Sequence, residues 1–282
     1  MLRFAALGFA SVALVASSAA NGGGGGPSPG VTGWDGVLAP GGAIRYVALA
    51  SESTTTVAAV RVGTGRVERY ASVPGGTYGI PLVAYDGSTG GLSADGRTLV
   101  LASFARAPGP GAISRFAVLS TKRLRRERLL ELRGSWSYDA LSPDGRLLYA
   151  VEYLGTGRNA RYRVRAIDLS SGRLLAGSIA DSREKRGEMR GSPMTRATSR
   201  DGGWAYTLYA KPDGTAFVHA LDTRHRKAVC VDLPWRGVGN ALGSVRMAVA
   251  GRSLVLTQRG SRLAAIDTRA FSVRSFRRPA AP

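Results

Sequence analysis

Four carboxylates and a few aromatic rings are the side chains of this sequence best equipped for chemistry. Asp86, Asp139, Glu152 and Glu188 fall in or beside long connections, close to Tyr78, Tyr85, Trp136, Tyr138 and Trp235. Glycoside cleavage uses two carboxylates at a set separation, one as acid and the other as base or nucleophile. Aromatic faces give large, partly polar contact area for a sugar ring or a peptide. The residues thus predict a ligand-binding mouth of Tyr78, Tyr85, Asp86, Trp136, Tyr138, Asp139, Glu152 and Trp235. Two functions stay open on this basis: a binding or protein-interaction module of unknown ligand, and a carbohydrate-active hydrolase or lyase working through such a carboxylate pair. No catalytic residue is assigned, and the first reading is preferred.

Other chemistries find less material. A serine triad would need His219 or His225, the two histidines of the chain. His219 stands inside an apolar run where the other repeats carry Ala58, Ala117, Arg165 and Ala264, so it reads as a packed residue; His225, between Arg224 and Arg226, reads as part of a solvated turn. Cys230 is the sole cysteine, which excludes an intramolecular disulfide and a cysteine zinc site. Its neighbours Val229 and Val231 predict a buried, inert thiol. No metal and no cofactor is expected.

The elements that must hold these residues show themselves as a repeat. Ser93-Ala94-Asp95-Gly96-Arg97, Ser142-Pro143-Asp144-Gly145-Arg146 and Ser199-Arg200-Asp201-Gly202 each precede an apolar run, and weaker copies stand at Pro40-Gly41-Gly42 and Ala250-Gly251-Arg252. The corners fall at positions 41, 95, 144, 201 and 251, spaced by 54, 49, 57 and 50 residues. A second apolar run follows each corner, in three copies ending on aspartate: Asp168, Asp222 and Asp267. An aspartate folds back on its own backbone while the glycine after it takes a positive φ, so each corner is a tight turn. Four short strands per repeat, here A to D, are predicted. Strands B and C are apolar on both faces, which a sandwich strand with one wet face is not; sheets arrayed around an axis cover both. The fold predicted is all-β, a β-propeller of about five four-stranded blades.

The corner motif Ser142-Pro143-Asp144-Gly145-Arg146-Leu147-Leu148-Tyr149 and the run Ala166-Ile167-Asp168-Leu169-Ser170-Ser171-Gly172-Arg173 resemble the repeats of TolB-like and YVTN-type bacterial propellers, relatives of WD-repeat proteins. The resemblance implies architecture, and a platform for partners or ligands.

At the amino terminus Arg3 precedes an apolar stretch to Ala16 and then Ser17, Ser18, Ala19 and Ala20, the order of a secretory signal. Residues 1–20 are expected to be a signal peptide, 21–33 a Gly/Pro-rich linker, 34–276 the propeller and 277–282 a tail. The mature chain is expected to be extracytoplasmic, monomeric and without a transmembrane segment. Its net charge of +20 is almost all arginine, with lysine only at Lys122, Lys185, Lys211 and Lys227. Charge of this kind speaks to non-specific attraction rather than to a specific nucleic acid. Strand order puts the A-to-B and C-to-D turns on one side of the disc. There Arg45, Arg97, Arg146, Arg200, Arg252, Arg66, Lys122, Arg123, Arg173, Arg224, Arg226, Lys227 and Arg269 form a basic face. The expected partner is a protein, a glycan or an anionic envelope polymer, met through this face or through the long loops opposite.

Overall fold

The computed structural model describes residues 31–32, 36–103, 111–155, 160–184 and 186–280. The expected signal peptide, most of the linker, Trp34 at the expected start of the propeller, and residues 104–110 of one long loop lie outside the described residues.

Strand β1 (Val31–Thr32) comes first, and five antiparallel sheets follow. Blade one is β2 (Val37–Leu38), β3 (Ile44–Ala50), β4 (Thr54–Arg61) and β5 (Val67–Pro74). Blade two is β6 (Tyr78–Pro81), β7 (Thr98–Ser103), β8 (Ile113–Ser120) and β9 (Arg125–Arg133), with β1 added along the free side of β6. Blade three is β10 (Trp136–Leu141), β11 (Leu147–Leu154) and β12 (Arg161–Asp168). Blade four is β13 (Ser192–Thr198), β14 (Trp204–Ala210), β15 (Ala216–Asp222) and β16 (Lys227–Leu233). Blade five is β17 (Val245–Ala250), β18 (Ser253–Gln258), β19 (Ser261–Asp267) and β20 (Val273–Ser275).

The predicted fourth strand of blade three is broken. Only Leu174, Ile179 and Met189 pair singly with Ile167, Val164 and Tyr162. The segment between them carries Gly177 and then Asp181, Ser182, Arg183 and Glu184, which offer no continuous apolar face, so the chain peels away from β12.

Three corners share one geometry. Ser93, Ser142 and Ser199 each donate to Oδ1 of the aspartate two residues on, at 2.6, 2.6 and 2.7 Å. The same hydroxyls accept from the first strand-B amides, Thr98 at 3.0 Å, Leu147 at 2.9 Å and Trp204 at 2.9 Å. One small side chain thereby fixes both ends of the turn. Glycine at the corner is required twice over: Gly145 sits at φ +67°, and a Cβ there would run into the Thr98 side chain of the preceding blade.

The C-to-D turns repeat as well. Asp168, Asp222 and Asp267 accept amide hydrogens from residues two or three positions on. The residue four beyond the end of strand C takes a positive φ in every blade: Gly65, Leu124, Gly172, Arg226 and Phe271. The residue following strand C is also tied to the corner, Thr121 N–H to Arg97 O at 2.9 Å, Leu169 N–H to Arg146 O at 2.8 Å and Thr223 N–H to Gly203 O at 3.0 Å. The two kinds of turn therefore meet on one side of the disc.

Packing explains why B strands are apolar on both faces. In β7, Leu99 and Leu101 enter the layer against blade one, while Val100 and Ala102 enter the layer against blade three. In β11, Leu148 and Ala150 face blade two, and Tyr149 and Val151 face blade four. In β14, Tyr209 turns toward blade three, and Tyr206 and Leu208 toward blade five. Each fully buried leucine here contributes roughly 1.5–3 kcal/mol, and a single strand supplies two layers at once. Blades two to four share both faces with their sequential neighbours, and this packing of antiparallel sheets is that of a β-propeller.

Candidate functional site

Inner strands run down to the corners, so side chains near their ends converge at the axis. A cavity of about 290 Å³ lies there, lined from blades one to four. Pro40, Ala94, Ser199, Arg200 and Gly202 belong to corners and ring its mouth, while Val83, Thr89 and Gly90 lie at its far end. Those far-end residues come from an excursion between β6 and β7 that crosses to blade four, where Tyr85 N–H donates to Pro193 O at 3.0 Å and Asp86 N–H to Met194 O at 3.2 Å. The excursion forms a floor, so the cavity is a cup that opens on the corner side.

The wall of the cup holds a buried ion pair. Arg196 of β13 donates through Nη1 to the Asp139 carbonyl at 2.9 Å and through Nη2 to Asp139 Oδ1. The two side chains are 8% and 3% exposed. Asp139 Oδ2 and Arg196 Nε have no hydrogen-bond partner among the described residues. Buried polar groups without partners are costly, and each one calls for an explanation. Arg200, exposed at the mouth, stands beside Asp201, whose Oδ2 is taken by Arg224 at 3.0 Å. The charged residues of the lining are Asp139, Arg196 and Arg200, one acid and two bases, a net +1.

The structure brings two of the predicted site residues to this cup, Tyr138 and Asp139. Tyr138 is buried, its ring against Gly90, and burial pushes its phenol well above the ordinary range. The other six lie elsewhere. Tyr78 is fully buried between blades one and two, its N–H on Thr55 Oγ1 at 2.7 Å. Trp136 is buried, its indole donating to Arg133 O at 2.8 Å. Trp235 packs between blades four and five. Tyr85 stands exposed on the excursion, and Asp86 closes its own turn by accepting from Ser88 N and Oγ. Glu152 accepts from Arg163 Nε at 2.6 Å and Arg165 Nη1 at 3.3 Å, while Glu188 pairs with Arg161 at 2.8 Å. The four acids from which the alternative reading would draw a carboxylate pair thus hold four different sets of partners.

Sequence reading missed Arg196 and Thr198, and named Arg200 only as part of the basic face. The available signal was an arginine inside the otherwise uncharged β13, at a register position level with Thr207, His219 and Cys230. His219 is buried, Cys230 is a buried free thiol, and His225 is exposed with Nδ1 2.8 Å from Asp222. On the corner side Arg97, Arg146, Arg200, Arg252, Arg224, Arg226, Lys227 and Arg269 are exposed, and the ring is partly neutralised by pairs such as Arg252–Asp267 at 3.6 Å. Among the described residues no group of three metal-ligating acids, histidines or cysteines assembles, and no helix is long and apolar enough to cross a membrane.

No protein-family profile matches the chain, and no curated protein matches it in sequence. Among solved structures it is similar to hydrazine synthase of Kuenenia stuttgartiensis, with a TM-score of 0.50 and 16% identity over 86% of this chain and 70% of that one. The β-propeller domain of Cps50 (Swd1) from Myceliophteria thermophila gives a TM-score of 0.49 and 13% identity over 86% and 65% of the two chains. A putative TolB from Agrobacterium tumefaciens gives 0.44 and 13% over 84% and 78%. At 16% identity, the likeness to the first of these shows a shared fold and nothing of its chemistry.

Proposed function

We propose that the chain works outside the cytoplasm as a non-catalytic interaction propeller, taking a protruding group of a partner protein into the cup on its corner side. The observation that carries this reading is the axial cavity of about 290 Å³, walled in part by the buried Asp139–Arg196 pair and bordered by the exposed Arg200. A rigid scaffold with a blind axial cavity, a few convergent polar groups and a basic rim suits recognition. The separate engagements of Asp86, Asp139, Glu152 and Glu188 speak for binding over hydrolysis. The secretory pattern of residues 1–20 supports the compartment.

The test places a photo-crosslinking side chain at Thr198, in the lining of the cup, or at Tyr70, 74% exposed on the outer strand of blade one. A discrete protein adduct from Thr198, absent from Tyr70 and retained in high salt, is expected in the extracytoplasmic fraction. Equal adducts from both positions, or loss of the Thr198 adduct in salt, would refute the reading and leave general attraction to anionic polymers. A reporter fusion active only outside the cytoplasm checks the compartment.

A further inference from the structure

We infer that the side of the disc opposite the corners carries a second binding site, for a phosphate monoester borne on a small hydroxylated body such as a sugar. The site is independent of the cup. A cavity of about 630 Å³ lies there, between the start of β15, the end of β16, the loop that follows it and the C-terminal segment. That size falls inside the roughly 300–1,000 Å³ typical of ligand pockets. The charged residues of its lining are Lys211, Arg236, Arg278 and Asp232, a net +2. Lys211 and Asp232 meet at 3.4 Å, Lys211 lies over the Phe217 ring at 4.9 Å, and Asp232 also pairs with Arg183 at 3.5 Å. Arg236 and Arg278 are exposed, and their side chains have no ion pair or hydrogen bond among the described residues.

Both arginines stand on backbone that is tied down. Trp235, beside Arg236, is buried with its indole 3.4 Å from Ser275 Oγ, and Val238 N–H donates to Gly214 O at 3.2 Å. Arg278 lies beyond the last strand, yet Pro279 next to it is buried. The buried Gln258 carboxamide clamps Ala280, donating to its carbonyl at 2.8 Å and accepting from its N–H at 2.9 Å. A guanidinium presents a planar fork of donors that matches an oxyanion. A single carboxylate fills one such fork. A phosphate monoester has three terminal oxygens and a charge of about −1.5 to −2 near pH 7, enough to serve both forks and balance the lining. The phosphoryl group fills only part of the cavity. Thr215, the exposed Pro234 and Asp232, 59% exposed, line the remainder. Asp232 accepts hydrogen bonds and repels a second anion, so the body that suits it is hydroxylated.

Calorimetry on the full-length protein separates the parts with glucose 6-phosphate, glucose, inorganic phosphate and succinate. Glucose 6-phosphate should bind about tenfold more tightly than each of the others: glucose lacks the anion, phosphate lacks the body, and succinate puts a second anion in its place. Arg236→Gln and Arg278→Gln, at exposed positions, should each weaken it about tenfold, the effect of losing a hydrogen bond to a charged group. Arg97→Gln, on the corner side, should leave it unchanged. Gln258→Met releases Ala280 and should weaken binding as well, with Arg278→Gln adding little on top; the arginine variants decide where this buried change unfolds the chain. Phosphatidylcholine vesicles carrying phosphatidylinositol 4-phosphate give the source of the ester: sedimentation that Arg236→Gln abolishes identifies a lipid headgroup, and no sedimentation a soluble sugar phosphate. Equal binding of succinate or inorganic phosphate, indifference to either arginine variant, or an equal loss in Arg97→Gln overturns the inference. Failure of every probe to bind overturns it too, and leaves the Thr198 adduct and the cup reading untouched.

Discussion

Acid should loosen this propeller in a window set by His219. Strands β13 to β16 place Arg196, Thr207, His219 and Cys230 in one cross-strand row. His219 is 1% exposed, its Nδ1 3.7 Å from Cys230 Sγ, its ring edge-on to Tyr209, and its Nε2 without a partner among the described residues. Burial pushes its pKa from 6.5 down to about 4; Asp139 and Asp181 pull upward and Arg196 downward, all less than burial. Because the folded value lies below the unfolded one, the unfolded chain takes up the proton first. The stability is therefore complete above pH 6.5 and is lost as pH falls toward 4. With one pKa unit equal to about 1.4 kcal/mol, the loss is about 2 kcal/mol at pH 5 and about 3 kcal/mol at pH 4. At a urea dependence of about 3 kcal/mol per molar, the midpoint should fall by about 0.7 M between pH 7 and pH 5. His219→Leu should remove that slope while changing stability at pH 7 by about 1 kcal/mol or less, since an unpartnered ring nitrogen is exchanged for apolar volume. A midpoint flat from pH 7 to 5 in the parent, or an unchanged slope in the variant, would refute the argument. The aspartates held at about 2, Asp168, Asp181 and Asp201, act only in more acid solution and leave the window clean.

Truncating one member of the Asp139–Arg196 pair, as in Arg196→Met, should cost about 3–5 kcal/mol in urea unfolding, whereas Asp139→Leu with Arg196→Met should recover at least half of it. Ser142→Ala strips a donor to Asp144 and an acceptor for Leu147 N–H, and should cost about 1–2 kcal/mol by the same measurement. Arg226→Gly relieves an exposed residue held at φ +55° and should raise stability by about 0.5–1 kcal/mol. Gly172→Ala, at the equivalent turn position with φ +76°, should lower it by about 1 kcal/mol. The opposite signs are read as thermal midpoint shifts.

What could be read from the residues was the chemistry that acts over a few positions. A Ser-X-Asp-Gly corner closes on itself wherever it occurs, so the corners at Gly96, Gly145 and Gly202 gave away the blades. The C-to-D turns were half visible, because the left-handed position that Gly65 and Gly172 announce is held by Leu124, Arg226 and Phe271 in the other blades. Tyr138 and Asp139 line the cup because they stand near the corner end of an inner strand, whereas Trp136 and Glu152, cross-strand partners, lie at the other end of blade three. Where the site would open was hidden. That depends on the excursion carrying Tyr85 and Asp86 pairing with Pro193 and Met194, more than 100 residues away, and no local pattern names the strand edge that a loop will meet.

The charge of the chain follows from how its blades are joined. Arg69 donates from blade one to Lys122 O of blade two at 2.9 Å, and Arg126 donates back to Pro74 O at 2.7 Å. Arg128 reaches from blade two to the carbonyls of Ser170 and Ser171, Arg183 from the segment after β12 to Cys230 O, and Arg196 from blade four to Asp139 O. A guanidinium has five donors in a fixed plane and is weakly hydrated, so it can join two neighbouring sheets where a lysine would retain its water. For Arg69, Arg126 and Arg128 the acceptor is a carbonyl, which satisfies the hydrogen bond without cancelling the charge, whereas Arg183 and Arg196 also pair with aspartates. A propeller joined in this way gathers positive charge as a by-product of its seams, which accounts for part of the 39 basic residues against 19 acidic ones. The net charge by itself is therefore a poor guide to a partner.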